Sequence, residues 1–500
     1  MKTKRIILII FAFVTTLLLY HQYWGLNALI IAFGIVTAII ISQTKIELEQ
    51  KIKSTNWWLA LGLVIGNGFA SFYIHNQFCE TLFFISLLYF SAVNSYINHS
   101  LIIGIPQGIY SQFKGILRIT EKLGLLFQKK ENTTSPRIGV KILIYLIPLL
   151  IALLFLKLYQ AADPTFYKWT KFINLDWVSA EFLFLLLVVF FVSYGLLNFN
   201  RSKHLTVLDE DCTNHVPINY ADKAQTFFGL SNEVQIARST LIILTLLLLL
   251  YNSIDLIFIF SEVIPGKITG SYSELIHNGV DALIFSIVLV ILLISFLFRG
   301  QLNYKGPKYL KSIASLWMVL NLIMVVTTSV KNYEYIAHWG LTYKRIGVFI
   351  YLFLASCGLV FTLIKINYNK SFWYLVRQTT LSFFCCFTLM GFINWDKHIA
   401  QYNLKLPIEA IDFNYLHKLG KDTYPLLLDY YIIHKNHEKI KSQKGLWNTI
   451  FNDFDFTRKQ MKNHAASTNW PSLVWREHQL LKKMNTYKLI YKKRFNRYSY

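Results

Sequence analysis

The sequence predicts an all-α fold: a polytopic transmembrane helix bundle of about 11 spans (10–12), with a small C-terminal extracytoplasmic helical domain. Three observations lead there. Of 500 residues, 54% are hydrophobic and 15% charged, against about 25% charged in soluble domains. Apolar runs of nearly twenty residues recur, each long enough as a helix to cross about 30 Å of hydrocarbon. The 50 Lys and Arg residues, which dominate a net charge of +23, concentrate in alternate loops, as the positive-inside bias requires.

The spans fall at roughly 5–20, 25–42, 57–75, 79–97, 138–159, 177–199, 237–261, 275–298, 309–330, 344–366 and 372–394. The first, MKTKRIILIIFAFVTTLLLY, has the basic start and apolar core of a signal peptide. No small-residue cleavage site follows, and HQYWG leads into the second run, so it reads as an uncleaved span in a tight hairpin. With a cytoplasmic N-terminus, that terminus and the even-numbered loops carry 23 basic residues and the outer loops six. An odd span count then places the chain after 395 outside the cytoplasm.

Four segments result: an N-terminal four-span segment 1–97, a basic cytoplasmic loop 98–137, a seven-span core 138–394 and a basic helical extracytoplasmic domain 395–500. In the loop, YSQFKGILRITEKLGLLF sets Phe113, Ile116, Leu117, Leu123 and Leu126 against Lys114, Arg118, Glu121 and Lys122. That pattern suits a helix lying in the headgroup layer. GIPQG at 104–108 reads as a loop breaker. In the tail, IEAIDFNYLHKL and GKDTYPLLLDYYIIHKN read as two helices broken at Gly420, with Pro425 in the first turn of the second, and STNWPS reads as a turn. The basic end of the tail, interleaved with Tyr and Phe, is either a solvated helix face or a contact for anionic lipid or glycan.

Composition also excludes. A basic pI can signal nucleic-acid binding, but here the cations follow membrane topology, so no nucleic-acid partner is expected. Cys79, Cys212, Cys357, Cys385 and Cys386 form no CxxC pair, which argues against a disulfide framework or a thiolate zinc site. GxSxG, P-loop and dinucleotide-binding signatures are absent, and the reading leans away from an enzyme and from any cofactor.

Charges within or beside spans are expensive and mark protein interiors or cavities. Here they gather at the outer ends. The candidate cluster is Asp163, Asp255, Glu274, His277, Asp281, His338, Arg345, Asp396 and His398. Glu274, His277 and Asp281 recur at i, i+3 and i+7 on one helical face. Their side chains are of metal-binding types, yet no HExxH or dense histidine motif accompanies them, and no metal is expected. Arg345 opens an apolar run on the outer side, against the positive-inside rule. Pairing with carboxylates explains it, with Asp281, Asp255, Asp163 and Asp396 as partners in that order; snorkelling to headgroups suits Lys344.

AADPTF, YSELIHNGVDALIFSI, YIAHWGLTYKRIGVFIYL, NWDKHIAQYNL and IDFNYLHKLGKDTYPLLL, spread over about 140–435, resemble the bacterial membrane family known as domain of unknown function 4173, related to domain of unknown function 4153. The matching positions are Asp163, Pro164 and Phe166; Gly340, Leu341, Thr342 and Arg345; and Asn394, Asp396, Tyr402 and Asn403. The resemblance implies a multi-pass protein of the bacterial inner membrane and supplies no substrate. Three function classes follow: a scaffold, sensor or accessory of envelope machinery; an envelope lipid or glycan transferase using the outer acids; and a transporter. Membrane lipids and envelope proteins are the expected partners.

Overall fold

The computed structural model describes residues 2–127, 163–170, 180–215, 229–263, 270–298 and 301–495, with positions 148, 152, 155, 156, 159, 160 and 162 between. Among these residues all regular structure is helical, apart from one isolated bridge between His215 and Lys370. Contacts divide the chain into two compact units, 1–208 with 467–475 and 209–466 with 476–500.

The first unit holds α1 (Lys2–Leu19), α2 (Leu26–Ile41), α3 (Lys45–Ile52), α4 (Thr55–Tyr73), α5 (Gln77–Ser95), α6 (Leu101–Phe127), α7 (Pro164–Thr170) and α8 (Ala180–Leu197). Polar residues set the helix starts. Thr44 and Glu47 form a reciprocal capping box on α3, and Asn76 accepts the Cys79 N–H at the start of α5, 2.7 Å. Small residues set the packing. A Cβ on Gly68 would lie 2.9 Å from Ala32 Cβ, and one on Gly104 would lie 2.7 Å from the Tyr89 ring.

Two expectations change here. GIPQG does not break a loop; it lies inside α6, Pro106 included, where Gly104 and Gly108 admit α5 at close range. Nor does the 98–137 segment carry only a headgroup helix. The first half of α6 is tied to the end of α8 and to the segment after it, with Ser111 Oγ donating to Gly195 O at 2.9 Å and Gln107 Nε2 donating to Ser202 O at 3.1 Å. Further along, Phe113 and Leu117 are 67% and 54% exposed, which fits an apolar face toward lipid.

Residues 467–475 close the turn between α1 and α2. Leu26 N–H donates to Leu473 O at 2.9 Å, and Tyr23 N–H donates to Ser472 Oγ at 2.9 Å. A Cβ on Gly25 would sit 2.7 Å from Leu473 O, so only glycine admits the approach.

After α9 (Lys203–Asp211), which spans the boundary between units, the second unit holds α10 (Leu230–Phe258, continued by a π turn Ile259–Val263), α11 (Gly270–Leu297), α12 (Gln301–Lys305), α13 (Lys308–Trp339), α14 (Tyr343–Asn367), α15 (Phe372–Met390), α16 (Trp395–Asn403), α17 (Phe413–Lys418), α18 (Tyr424–His434), α19 (Glu438–Ser442), α20 (Lys444–Ser467) and α21 (Trp475–Phe495). On α10, Ile243, Leu246, Leu250, Ile254 and Ile257 are 60–68% exposed along one face. Such a stripe suits lipid or a protein partner.

Among the described residues four helices are long and apolar enough to cross a membrane: α5, α10 extended to Ser261, α13 and α14. A fifth counts if α15 and α16, bent by 67°, form one broken span. The expected eleven are not reached on this criterion. The apolar stretches Leu26–Ile41, Glu181–Leu197 and Phe285–Leu297 are shorter, and most of 138–159 lies outside the described residues. Conversely, α13 has 32 residues, about 48 Å at 1.5 Å per residue, and overruns the hydrocarbon.

In the tail, Gly420 takes φ 92°, Pro425 sits in the first turn of α18, and a 3-10 turn occupies Trp470–Ser472. The helix expected over 408–419 is split, because the Asp412 side chain accepts the Tyr415 N–H at 3.0 Å and starts α17 afresh. Trp447, Phe413, Leu416, Leu427 and Ile450 form a core that also takes in Ile346 of α14. That core therefore does not stop at 395, where the sequence placed a domain boundary.

Candidate functional site

The chain breaks between α13 and α14 at Gly340-Leu341-Thr342, and most of the motif residues converge there. Gly340 ends α13 with φ 81°, a conformation costly for any residue with a Cβ. A Cβ there would also meet Asn403 Oδ1 at 2.7 Å. Asn403, buried at the end of α16, accepts the Leu341 N–H and donates through Nδ2 to Leu341 O at 2.9 Å. Its amide imitates a strand partner and fixes the break. Thr342 caps α14, and Asn332 Nδ2 donates to Arg345 O at 3.1 Å.

Arg345 finds its partners on the backbone. Its Nη1 donates to Trp339 O at 2.8 Å and to Gly340 O, and its guanidinium lies 4.2 Å from the centre of the Tyr335 ring. Carbonyls left open at a helix C-terminus carry partial negative charge, and a cation there is favoured. The expected carboxylate partners are engaged elsewhere or lie outside view. Asp255 pairs with Lys331, both nearly buried. Asp396 accepts from Tyr343 Oη at 2.6 Å. Asp163, in the first unit, accepts the Thr165 N–H at 2.7 Å and starts α7, and those bonds to Thr165 hold its carboxyl below the ordinary range. Among the described residues no carboxylate is within salt-bridge reach of Arg345.

The rest of the cluster is spread out. The backbone of Glu274, His277 and Asp281 lies in α11, but their side chains fall outside the described residues. His338 is exposed, its Nδ1 3.0 Å from Glu334 O, and His398 is exposed on α16. Lys344 is exposed, as a snorkelling residue would be. Among the described residues no group of three His, Cys, Asp or Glu side chains could hold a metal ion.

The sequence missed several members of the joint. Asp422, buried, accepts from Asn394 Nδ2 at 3.0 Å and pairs with Arg476 at 3.3 Å. Tyr415 Oη accepts the Tyr343 N–H at 3.1 Å, and burial pushes that phenol above its ordinary pKa, so it stays protonated. Nothing in the linear sequence marks these partners, which are 28 to 72 positions apart.

Two hollows flank the Gly340–Ile346 turn. One, about 510 Å³, is the more polar of the two and takes in Arg345, Asn403, Glu409, Asp412, Lys439 and Gln443. The other, about 560 Å³, is apolar and takes in Leu341, Ile346, Phe349, Phe353, Cys385 and Leu389 between α14 and α15. Both fall in the range of small-molecule sites. Lys439 Nζ donates to Glu409 O and Ile411 O, at 2.7 and 2.9 Å, so this cation too rests on carbonyls.

The family model described as a domain of unknown function, DUF4153, matches residues 6–430. The match starts well before 140, so the N-terminal helices lie inside the family's extent. No curated protein and no solved structure matches the chain.

Proposed function

The chain belongs to the DUF4153 family, and on that premise we propose that it is a scaffold or sensor of the bacterial inner membrane, an accessory to envelope machinery rather than a catalyst. We retain kinship with domain of unknown function 4173 as part of this reading, on the strength of the GLT-x-x-R and N-x-D elements. One observation carries it. At the joint where the motif residues meet, Asn403, Arg345, Asp396 and Asn394 bond to backbone or to other side chains, and each bond fixes a helix end. That is how a rigid mount for the 395–466 helices is built, and it commits Asp396 to Tyr343 Oη rather than to acid–base work.

In this reading the N-terminus is cytoplasmic, the helices after 395 are extracytoplasmic, and about 11 spans connect them. Two supports exist. One is the loop charge bias. The other is parity of contacts within each unit. Even-loop residues meet even-loop residues, as Lys311 meets Asn369 at 2.6 Å and Arg377 meets Asp209 at 2.6 Å. Odd-loop residues meet odd-loop or tail residues, as His21 meets Glu181 at 3.6 Å and Tyr343 meets Tyr415. A reporter active only outside the cytoplasm, fused after Asn403, is expected to be active. A silent fusion with a bright cytoplasmic reporter at the same site overturns the orientation. Membrane lipids and envelope proteins are the partners, and anionic lipid or glycan remains the proposed contact of the basic tail.

A second reading, an envelope lipid or glycan transferase, is favoured by the polar hollow beside an apolar one. It requires that Asp396→Asn abolish a measurable transfer while leaving the melting temperature in place.

A further inference from the structure

The two hollows beside the Gly340–Ile346 turn have complementary chemistry. Arg345 and Lys439 present two cations to the polar hollow, each satisfied by carbonyls and resting near an aromatic ring, Tyr335 and Phe413 respectively. Glu409 and Asp412 present two carboxylates to the same space. Glu409, 73% exposed, reaches among the described residues only the His437 ring, at 3.6 Å. Gln443 adds a buried Oε1 that has no hydrogen-bond partner among the described residues.

The apolar hollow starts on the other side of the same turn. Leu341 and Ile346 line it, whereas Gly340, Thr342 and Arg345 line the polar one. It then runs along the first turns of α14, a helix able to cross the membrane. Phe353 and Leu389 on its walls are 56% and 62% exposed. A cleft of this kind in water would be a liability; beside hydrocarbon it suits an acyl chain.

We propose that this turn binds a phospholipid with a primary-amine headgroup, the phosphate on Arg345 and Lys439, the ammonium toward Glu409, Asp412 and Gln443, and one acyl chain in the α14–α15 cleft. An anionic headgroup without an amine would leave Glu409 and the Gln443 acceptor unanswered and would add like charge beside Asp412, whose Oδ1 already accepts the Tyr415 N–H. A quaternary ammonium has no N–H to donate. Charge balance thus selects a zwitterion that can still donate hydrogen bonds. The proposal rests on reading α14 as a span and the helices after 395 as its cap.

The test uses the full-length protein in dodecyl maltoside, with dioleoyl phosphatidylethanolamine, phosphatidylcholine and phosphatidylglycerol added separately. Bound lipid is read by native mass spectrometry and by the shift in melting temperature. Phosphatidylethanolamine is expected to bind at least tenfold more tightly than the other two. Lys439→Gln, and Ser382→Trp, which fills the cleft from its α15 wall, are each expected to lose at least tenfold. Glu409→Lys, at an exposed position, is expected to turn the preference toward phosphatidylglycerol. Equal affinity for the three lipids, or an unchanged preference in Glu409→Lys, overturns the proposal. Saturable capture of a second copy or of a protein helix in place of lipid overturns it as well. Loss of lipid selectivity with the Asn403 reporter still active removes the ligand and spares the scaffold. A silent reporter with selectivity intact removes the orientation and spares the ligand.

Discussion

In the first unit the buried polar side chains of the described residues are Thr, Ser, Asn, Gln and His, among them Asn27, Asn67, Gln107 and Ser111. They bond mainly to backbone carbonyls and amides, as Asn27 does to Leu18 O at 3.1 Å. In the second unit Asp209, Asp255, Lys365, Asp422 and Arg458 are buried as well. The acids there face Arg377, Lys331 and Arg476. Neutral ties to backbone tolerate loss of a partner better than a buried charge does, because a stranded ion keeps its full desolvation penalty. The first unit should therefore be sensitive to volume, and the second to charge.

The sharpest test is Asp422→Ala. It strands Arg476 and is expected to cost about 3–5 kcal/mol, whereas Asp422→Leu with Arg476→Met is expected to be close to neutral. Urea unfolding in detergent measures both. A loss under about 1 kcal/mol for the single variant breaks the contrast.

Volume comes next. Gly108→Ala drives a Cβ to within 2.7 Å of Leu88 Cβ and is expected to destabilise by about 1–3 kcal/mol. Gly445→Ala, in the second unit with nothing within 4 Å of the new Cβ, is expected to stabilise α20 by about 0.5–1 kcal/mol. Thermal melts that show equal effects at the two glycines break the contrast from the other side.

Gly340→Ala sharpens the account of the joint. The positive φ alone is expected to cost about 1–2 kcal/mol, and displacement of Asn403 adds to it. Limited trypsin digestion should then cut faster after Lys344 or Arg345. Unchanged cutting means that Asn403 does not hold the turn.

The smallest effect is at α3. Thr44→Ala removes the capping box and is expected to cost about 1 kcal/mol. Bonds to Thr44 hold the Glu47 carboxyl below 4.5. A depressed folded-state pKa contributes stability that is present above the unfolded value and lost as pH falls through the folded one. The variant and the parent should therefore differ less at about pH 3 than at about pH 7, in melts at both.

The long helices were legible because apolar periodicity and length speak for themselves; α14 was expected at 344–366 and runs Tyr343–Asn367. The polar joint was only half legible. Gly340, Arg345 and Asn403 announced themselves by motif, but the partners of Arg345 are carbonyls, which every residue carries and no letter distinguishes. Lys331 was read as the first residue of a loop because a charge usually ends a span. Asp255 opposite it lets α13 continue to Trp339. GIPQG misled because glycine serves turns and close helix contacts alike, and only the position of Tyr89 and Leu88 decides between them.

The closure of the α1–α2 turn has a consequence in time. Leu26 donates to Leu473 and Tyr23 to Ser472, and Tyr23 and Ser472 are 449 positions apart. A ribosome makes the first hairpin 449 residues before the Ser472 end of its clasp, so over that stretch of synthesis the turn must wait with its amides open. Closure of the turn is then expected to follow the synthesis of residues 467–475. A chain stopped short of Leu473 is a molecule whose first turn never shuts, and protease access at residues 20–25 would serve as its clock.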